Sequence, residues 1–330
     1  MCKQAELDVC NEVLSYYEWQ GTPRIIPGPS GMNNTTLVVE DDVSKSIVRL
    51  YNGHEDKEKL QFEHLMLSKL QQCNLPISTP SLKLNKQQAT ITVTRSGKLA
   101  AAFHYIEGER PSVDNLEQMI SLARAAAELS KALSTLTIDE QPAYSPYYEL
   151  ESNYAPIDHS SLLELLGHEE LVDLEEQLLH IQGERLQLEA LKPQFQALPH
   201  QWIHGDLNNT NCLAIHNDIV ALLDFEFVTL DLRVMELAVL LTEMISRDRE
   251  KDQSQMKLNA MLQAFHEIVQ LNEQELLLLP QLIKLRCVDV VMHFINRFNQ
   301  GLDAPHVLRR IIEDAHVVLC QMNDIKLSIR

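Results

Sequence analysis

Two stretches of this chain hold the residue types that chemistry would need. The first is His204-Gly205-Asp206-Leu207-Asn208-Asn209-Thr210-Asn211, and the second, Asp224-Phe225-Glu226, begins thirteen positions after Asn211. Transferring a phosphoryl group from ATP needs little covalent work from a protein. It needs a carboxylate to orient the attacking hydroxyl and take its proton, and oxygen ligands to hold Mg²⁺ on the phosphates. Asp206 and Asn211, in D-x-x-x-x-N spacing, supply a carboxylate and an amide oxygen, and Asp224 supplies a second carboxylate. Mg²⁺ prefers hard oxygen donors, so the set suits it.

Such residues work only if the fold brings them together. Ile219-Val220-Ala221-Leu222-Leu223 reads as a strand, paired across His216-Asn217-Asp218 with another at 211–215. That hairpin returns Asp224 to the 204–211 loop. The character of the sequence changes near Gly108. Before it, strand patterns are expected at 35–40, 46–51, 80–84, 89–95 and 99–106, with helices at 3–18 and 55–73. This predicts a five-stranded sheet with one inserted helix. After it, helices are expected at 112–136, 168–191, 231–247, 254–270, 281–299 and 304–325, with a shorter one from 273 to Pro280. The fold class is α+β, in two lobes. A small antiparallel β-sheet lobe spans 1–106 and a large helical lobe spans 107–330.

Composition agrees. A chain of 330 residues is long for one core. With 45% hydrophobic and 23% charged residues it is an ordinary globular sequence. Its net charge of −19 repels phosphate backbones and anionic lipid heads, so no nucleic acid and no membrane partner is expected. ATP is also an anion, so its site needs metal, backbone amides and a few local cations. The six cysteines form no C-x-x-C pair, which suggests neither a zinc site nor a redox motif, but free thiols in a reducing cytoplasm. His200 and His204 make the one H-x-x-x-H pair, but Pro199 and Gly205 argue against a helix there. No signal-peptide pattern and no apolar run near ~18 residues occurs, so the protein is expected in the cytoplasm. The sequence leaves a homodimer open.

The block His204-Gly205-Asp206…Asn211, a hydrophobic strand and Asp224-Phe225-Glu226 resembles the aminoglycoside phosphotransferase / choline kinase superfamily, whose signature is H-G-D-x-x-x-x-N followed by D-F/W-[DEG]. The resemblance implies a protein-kinase-like bilobal fold and an ATP- and Mg²⁺-dependent transfer to a hydroxyl of a small molecule. It makes Asp206 the catalytic base, Asn211 and Asp224 the metal ligands, and His204 the support of the loop. Gly28-Pro29-Ser30-Gly31-Met32-Asn33-Asn34 resembles the family's phosphate loop, though by itself it is also an ordinary turn. Gly28, Ser30, Gly31 and Asn33 would then cradle the nucleotide. Glu63 lies on the apolar stripe Leu60-Leu67-Leu70, where a carboxylate wants a cation, and Arg49 on the preceding strand is its natural partner and a phosphate contact. Lysine is the commoner residue there. The strand running into His104-Tyr105-Ile106 resembles the interlobe hinge whose backbone reads adenine, and is equally a plain buried strand.

Pro76–Pro80 and Asp231–Ala238 look like the branch holding bacterial homoserine kinase-like proteins, with Glu236 where that branch has aspartate. Acceptor groups would come from the helical lobe. Arg286, Asp289, His293 and Arg297 share one face of an otherwise apolar helix. They read as a pocket lining, with arginines for a carboxylate and Asp289 for an amine, or as a solvated face. Asp231 reads as a substrate contact or a helix cap. Tyr147, Tyr148 and Tyr154 read as a cover over the acceptor or as exposed loop residues. The acceptor could be a homoserine-like amino acid, an aminoglycoside or a choline-type amino alcohol. The rival from another class is a non-catalytic nucleotide-binding regulator on a kinase scaffold. A protein kinase is disfavoured, because Gly205 replaces the H-R-D arginine and no A-P-E-like segment follows.

Overall fold

Along Lys45–Tyr51, Ser46, Val48 and Leu50 are buried while Lys45 is exposed, the period of a half-buried strand. The same alternation in Leu99–His104 sends Ala100 and Ala102 to one face of the sheet and Leu99, Ala101 and Phe103 to the other. These strands organise the N-terminal part. The computed structural model describes residues 2–27, 34–51, 57–154, 159–247 and 251–329.

In chain order the elements begin with α1 (Cys2–Ser15), β1 (Arg24–Pro27), β2 (Asn34–Glu40), β3 (Lys45–Tyr51), α2 (Lys57–Leu70), β4 (Leu82–Lys83), β5 (Thr92–Val93) and β6 (Leu99–His104). The sheet is antiparallel and six-stranded, ordered β1-β2-β3-β6-β4 with β5 also on β6. The expected five strands are all present, although β4 and β5 are shorter than expected. Arg24–Pro27 is an added edge strand, with too few residues to show a period. Val13 and Leu14 of α1, with Tyr17 just beyond it, pack on the Val48–Ala100–Ala102 face, and α2 packs Met66 and Leu67 on the opposite one.

The helical part holds α3 (Leu116–Leu133), α4 (Leu150–Asn153), α5 (His159–Leu166), α6 (Glu175–Ala190), α7 (Lys192–Gln196), β7 (His200–Ile203), β8 (Cys212–Ile215), β9 (Asp218–Leu222), β10 (Thr229–Leu232), α8 (Met235–Arg247), α9 (Lys251–His266), α10 (Glu273–Asn299) and α11 (Pro305–Gln321). Three expectations are corrected. The helix expected from 231 starts at Met235, because Thr229–Leu232 pairs instead with His200–Ile203. The helix expected from 168 starts at Glu175. The break expected at Pro280 is absent, and α10 runs through it. A proline in a helix removes one amide bond. Here an Asn272–Glu275 capping box starts the helix, Arg233 holds Glu275 at 2.7 Å, and Leu279, Leu282 and Ile283 are fully buried around the proline.

None of the described helices is long and apolar enough to cross a membrane. Among the described residues Cys10, Cys73, Cys212, Cys287 and Cys320 form no disulfide. Helix α3 lies at the centre of the helical part, against α8, α9, β7 and β9, and its Leu122 is fully buried. Leu122→Ala should cost about 2–5 kcal/mol of stability, seen as a lower urea midpoint at unchanged m-value.

Candidate active site

The loop after β7 is held by its backbone. Gly205 has φ +80°, and a Cβ there would lie 2.7 Å from the carbonyl oxygen of Phe227, so the turn accepts only glycine. The His204 side chain is fully buried. Its Nε2–H donates to Leu223 O at 2.9 Å, its Nδ1 accepts from the Asp206 amide at 3.3 Å, and its ring packs on Phe225. Burial holds its pKa below the ordinary value, consistent with a neutral ring. His204 therefore joins the loop to the strand leading to Asp224, and it does not reach the cleft.

The Glu236 carboxylate, wholly buried, accepts from the His204 amide at 2.6 Å. Burial pushes its pKa up to about 8, with repulsion from Asp206 adding to the rise, so it carries a proton at neutral pH. The longer glutamate thus reaches the loop backbone from the first turn of α8.

Asp206 faces a cleft of about 790 Å³, lined also by Asn208, Asn211, Asp224, Glu226, Tyr147, Tyr154, Arg286, Asp289, His293 and Arg297. The Asn211 Nδ2 donates to the Asp206 carbonyl at 2.9 Å and to its Oδ2 at 3.1 Å. With its NH₂ committed, Asn211 has its amide oxygen left as a donor to a cation. Asp224 sits in the left-handed region (φ 66°, ψ 67°) directly after the hairpin, which aims its carboxylate at the same cleft. Two carboxylates and an amide oxygen around one space fit a hard divalent cation.

Arg49 bridges the sheet to this hairpin. Its Nη1 donates to Asp224 Oδ1 at 3.0 Å and lies 3.7 Å from Glu63 Oε1. Burial works against its charge, but Asp224, Tyr51 and Glu63 outweigh that and hold it firmly protonated. The expected Arg49–Glu63 pair is present, with Asp224 as an additional partner. At the expected hinge, two backbone amides are already engaged. The amides of His104 and Tyr105 donate to Ser81 O at 2.9 Å and Lys45 O at 3.3 Å, so these two N–H groups are not available to a base. Gly28, Ser30, Gly31 and Asn33 lie outside the described residues.

On the other side of Asp206, α10 presents its polar stripe. Arg286 Nη2 donates to Asp206 Oδ1 at 2.5 Å, and its Nη1 donates to Tyr147 Oη at 2.7 Å and approaches Asp289 Oδ2 at 3.6 Å. Tyr154 Oη donates to Asp289 Oδ1 at 2.7 Å. Burial pushes Asp206 up to about 6 against the pull of Arg286, with Asp224 and Glu226 raising it further. Asp289 is pushed to about 6 by burial, again against Arg286. His293 and Arg297 line the same cleft, with Arg297 held by Asp303 at 2.6 Å.

Asp231 does not line the cleft, and it is not the first residue of a helix. Its buried carboxylate accepts from the amides of Tyr147 and Leu232, each at 2.6 Å, and so anchors the tyrosine loop. Tyr147 also donates from Oη to Gly205 O. Tyr148 turns away to His200, while Tyr147 and Tyr154 line the cleft. The sequence alone does not single out Lys59 and Tyr144, which reach the cleft with the Lys59 Nζ 4.6 Å from the Tyr144 ring centroid. They come from a half-buried position at the start of α2 and a proline-containing loop, where neither periodicity nor motif marks them.

The APH phosphotransferase enzyme family profile matches residues 24–270. The chain belongs to this family. A homoserine kinase of Zymomonas mobilis subsp. mobilis (strain ATCC 31821 / ZM4 / CP4) is 22% identical over 247 residues, covering 74% of this chain and 72% of that protein. Amicoumacin kinase, solved with AMP-PNP, Ca²⁺ and Ami, superposes with a TM-score of 0.68 at 12% identity, over 96% of each chain. A microcompartment-associated aminopropanol kinase superposes with a TM-score of 0.65 at 14% identity, over 94% of this chain and 95% of that one. The phosphotransferase is thus a small-molecule kinase of protein-kinase-like fold.

The loop geometry carries a direct expectation. Gly205→Ala should cost about 1–2 kcal/mol from the left-handed backbone alone, with the Phe227 contact adding to it. Thermal denaturation should show a lower melting temperature, and turnover should fall as Asp206 moves.

Proposed function

We propose that this kinase transfers the γ-phosphoryl group of Mg²⁺-ATP to the hydroxyl of a small, carboxylate-bearing amino acid of homoserine type. One observation carries the acceptor class: Arg286, flanked by Asp289 and Tyr154, reaches Asp206 itself. A guanidinium beside the reacting hydroxyl suits a carboxylate, and Asp289 suits an amine. When the acceptor carboxylate engages Arg286, Asp206 Oδ1 is released to orient the hydroxyl and take its proton. The amino-acid class is also that of the 22%-identical relative.

In this reading residues 1–106 form the nucleotide lobe and 107–330 the catalytic and acceptor lobe. Asn211 and Asp224 would hold the metal, which would neutralise charge on the phosphates. Arg49, positioned by Glu63, would contact the phosphates beside that site. Gly28, Ser30, Gly31 and Asn33 cradle the phosphates, and the hinge contacts adenine from Ile106 onward. His204 keeps the Asp206 and Asp224 backbones in register. The enzyme works in the cytoplasm without nucleic-acid or membrane partners.

An ATP-consumption screen over hydroxy amino acids, amino alcohols, sugars and aminoglycosides tests this. Hydroxy amino acids should give the highest kcat/KM, and preferential turnover of amino alcohols or aminoglycosides would sink the acceptor class. Asp206→Ala should lower turnover by on the order of 10²–10⁴-fold, while Mg²⁺-ATP at a hundredfold excess over Kd should still stabilise it by about 2.7 kcal/mol. Absence of that shift in the parent protein would favour a non-nucleotide scaffold role.

The pH profile gives an independent check. The base must be ionised, so kcat/KM should rise as pH increases through about 6, where Asp206 titrates. Arg286 lowers Asp206, so Arg286→Ala should move that ascending limb upward by about one unit or more. A limb left in place would show that Asp206 is not the titrating base.

A further inference from the structure

Far from the cleft, α6 and α11 bring three metal-ligating side chains together. His180 and Glu184 are one turn apart on α6, and His316 and Cys320 are one turn apart on α11. One nitrogen of each ring and the Cys320 sulfur lie within 4.8 Å of one another. His180 Nδ1 is 3.1 Å from His316 Nδ1, and Cys320 Sγ is 3.6 Å from His316 Nε2. With metal–nitrogen bonds near 2.05 Å and a metal–sulfur bond near 2.3 Å, a tetrahedron has N···N edges of about 3.3 Å and N···S edges of about 3.6 Å. The two short separations use different nitrogens of His316, so only one of them can be a ligand edge; with one donor atom taken from each residue, the three atoms lie within 4.8 Å of one another, and a turn of the His316 ring brings its single donor nitrogen to the shared centre.

We infer that His180, His316 and Cys320 form a zinc site that clips α6 to α11. Zn²⁺ takes imidazole nitrogen and thiolate sulfur in four-coordinate geometry, and the exposed edge at Cys320 leaves the fourth position to water. Binding breaks the S–H bond, leaves its electron pair on sulfur for the metal, and releases the proton to solvent.

Two neighbouring features suit this role. His180 turns its other nitrogen, Nε2, toward Glu184 Oε1 at 3.8 Å, the arrangement in which a carboxylate orients a metal-bound imidazole. Glu184 is itself fixed by Lys284 Nζ at 2.9 Å, and Lys284 lies on α10 two residues before Arg286. The site is chemically separate from the cleft, whose donors are oxygens suited to a hard cation.

The test uses the full-length protein stripped with chelator and kept in excess Mg²⁺. Added Co²⁺ should give the intense visible absorption of a tetrahedral centre together with a thiolate-to-cobalt charge-transfer band in the near ultraviolet. Zn²⁺ at one equivalent should abolish both and raise the melting temperature. Cys320→Ser, at an exposed position, should lose the charge-transfer band and bind Zn²⁺ on the order of tenfold or more weakly, while Cys73→Ser should behave as the parent. His180→Asn and His316→Asn should each lose the tetrahedral spectrum, with circular dichroism confirming the fold. Weak octahedral cobalt absorption alone, or a charge-transfer band that survives Cys320→Ser, overturns the site.

Discussion

Buried carboxylates need cations, and the cleft is built around that need. In a chain of net charge −19, Asp206, Asp224, Glu226 and Asp289 converge on one space. Left alone they would repel one another and lose part of their hydration. Two arginines offset this from opposite sides. Arg49 reaches Asp224 and Glu63 from the sheet, and Arg286 reaches Asp206 and Asp289 from α10. The planar guanidinium carries several donors in fixed directions, so one side chain can serve two acids, which a lysine ammonium does less well. The arginine at position 49 is therefore suited to a strand that must be tied to both α2 and the hairpin.

Around this charge balance the backbone is fixed by few contacts. Gly205 allows the turn that the Phe227 carbonyl would otherwise block. His204 holds Leu223 on one side and the Asp206 amide on the other. Glu236 holds the His204 amide, and its raised pKa lets it do so without adding a charge beside Asp206. Asp231 similarly holds the Tyr147 amide and so fixes where Tyr147 lines the cleft. These polar residues act on geometry, and the carboxylates beside them face the cleft.

Much of this could be read from the chain. The 204–211 block and Asp224 were identifiable because they lie close in sequence and their types match a chemical need. Arg49–Glu63 followed from a carboxylate on an apolar stripe, and the α10 face followed from its 3–4 spacing. Other features could not be read this way. β1, β7 and β10 each have four residues, too short for a period to emerge. Asp231 looked like a cap because the pairing of β10 with β7 is a long-range event. Pro280 looked like a stop because local propensity favours one, whereas burial around it decides otherwise. The amides of His104 and Tyr105 are taken by Ser81 and Lys45, partners far along the chain.

The sequence by itself determined the 204–211 motif, the two-lobe class and the acidic character, because those depend on composition and on spacing within a few turns. Tertiary structure alone decided which groups meet across the chain. It placed Arg286 on Asp206, eighty residues away. It also brought His180 to His316 and Cys320, whose positions form no recognisable metal motif. Spacing along a chain fixes only near neighbours; packing of one helix on another fixes the rest.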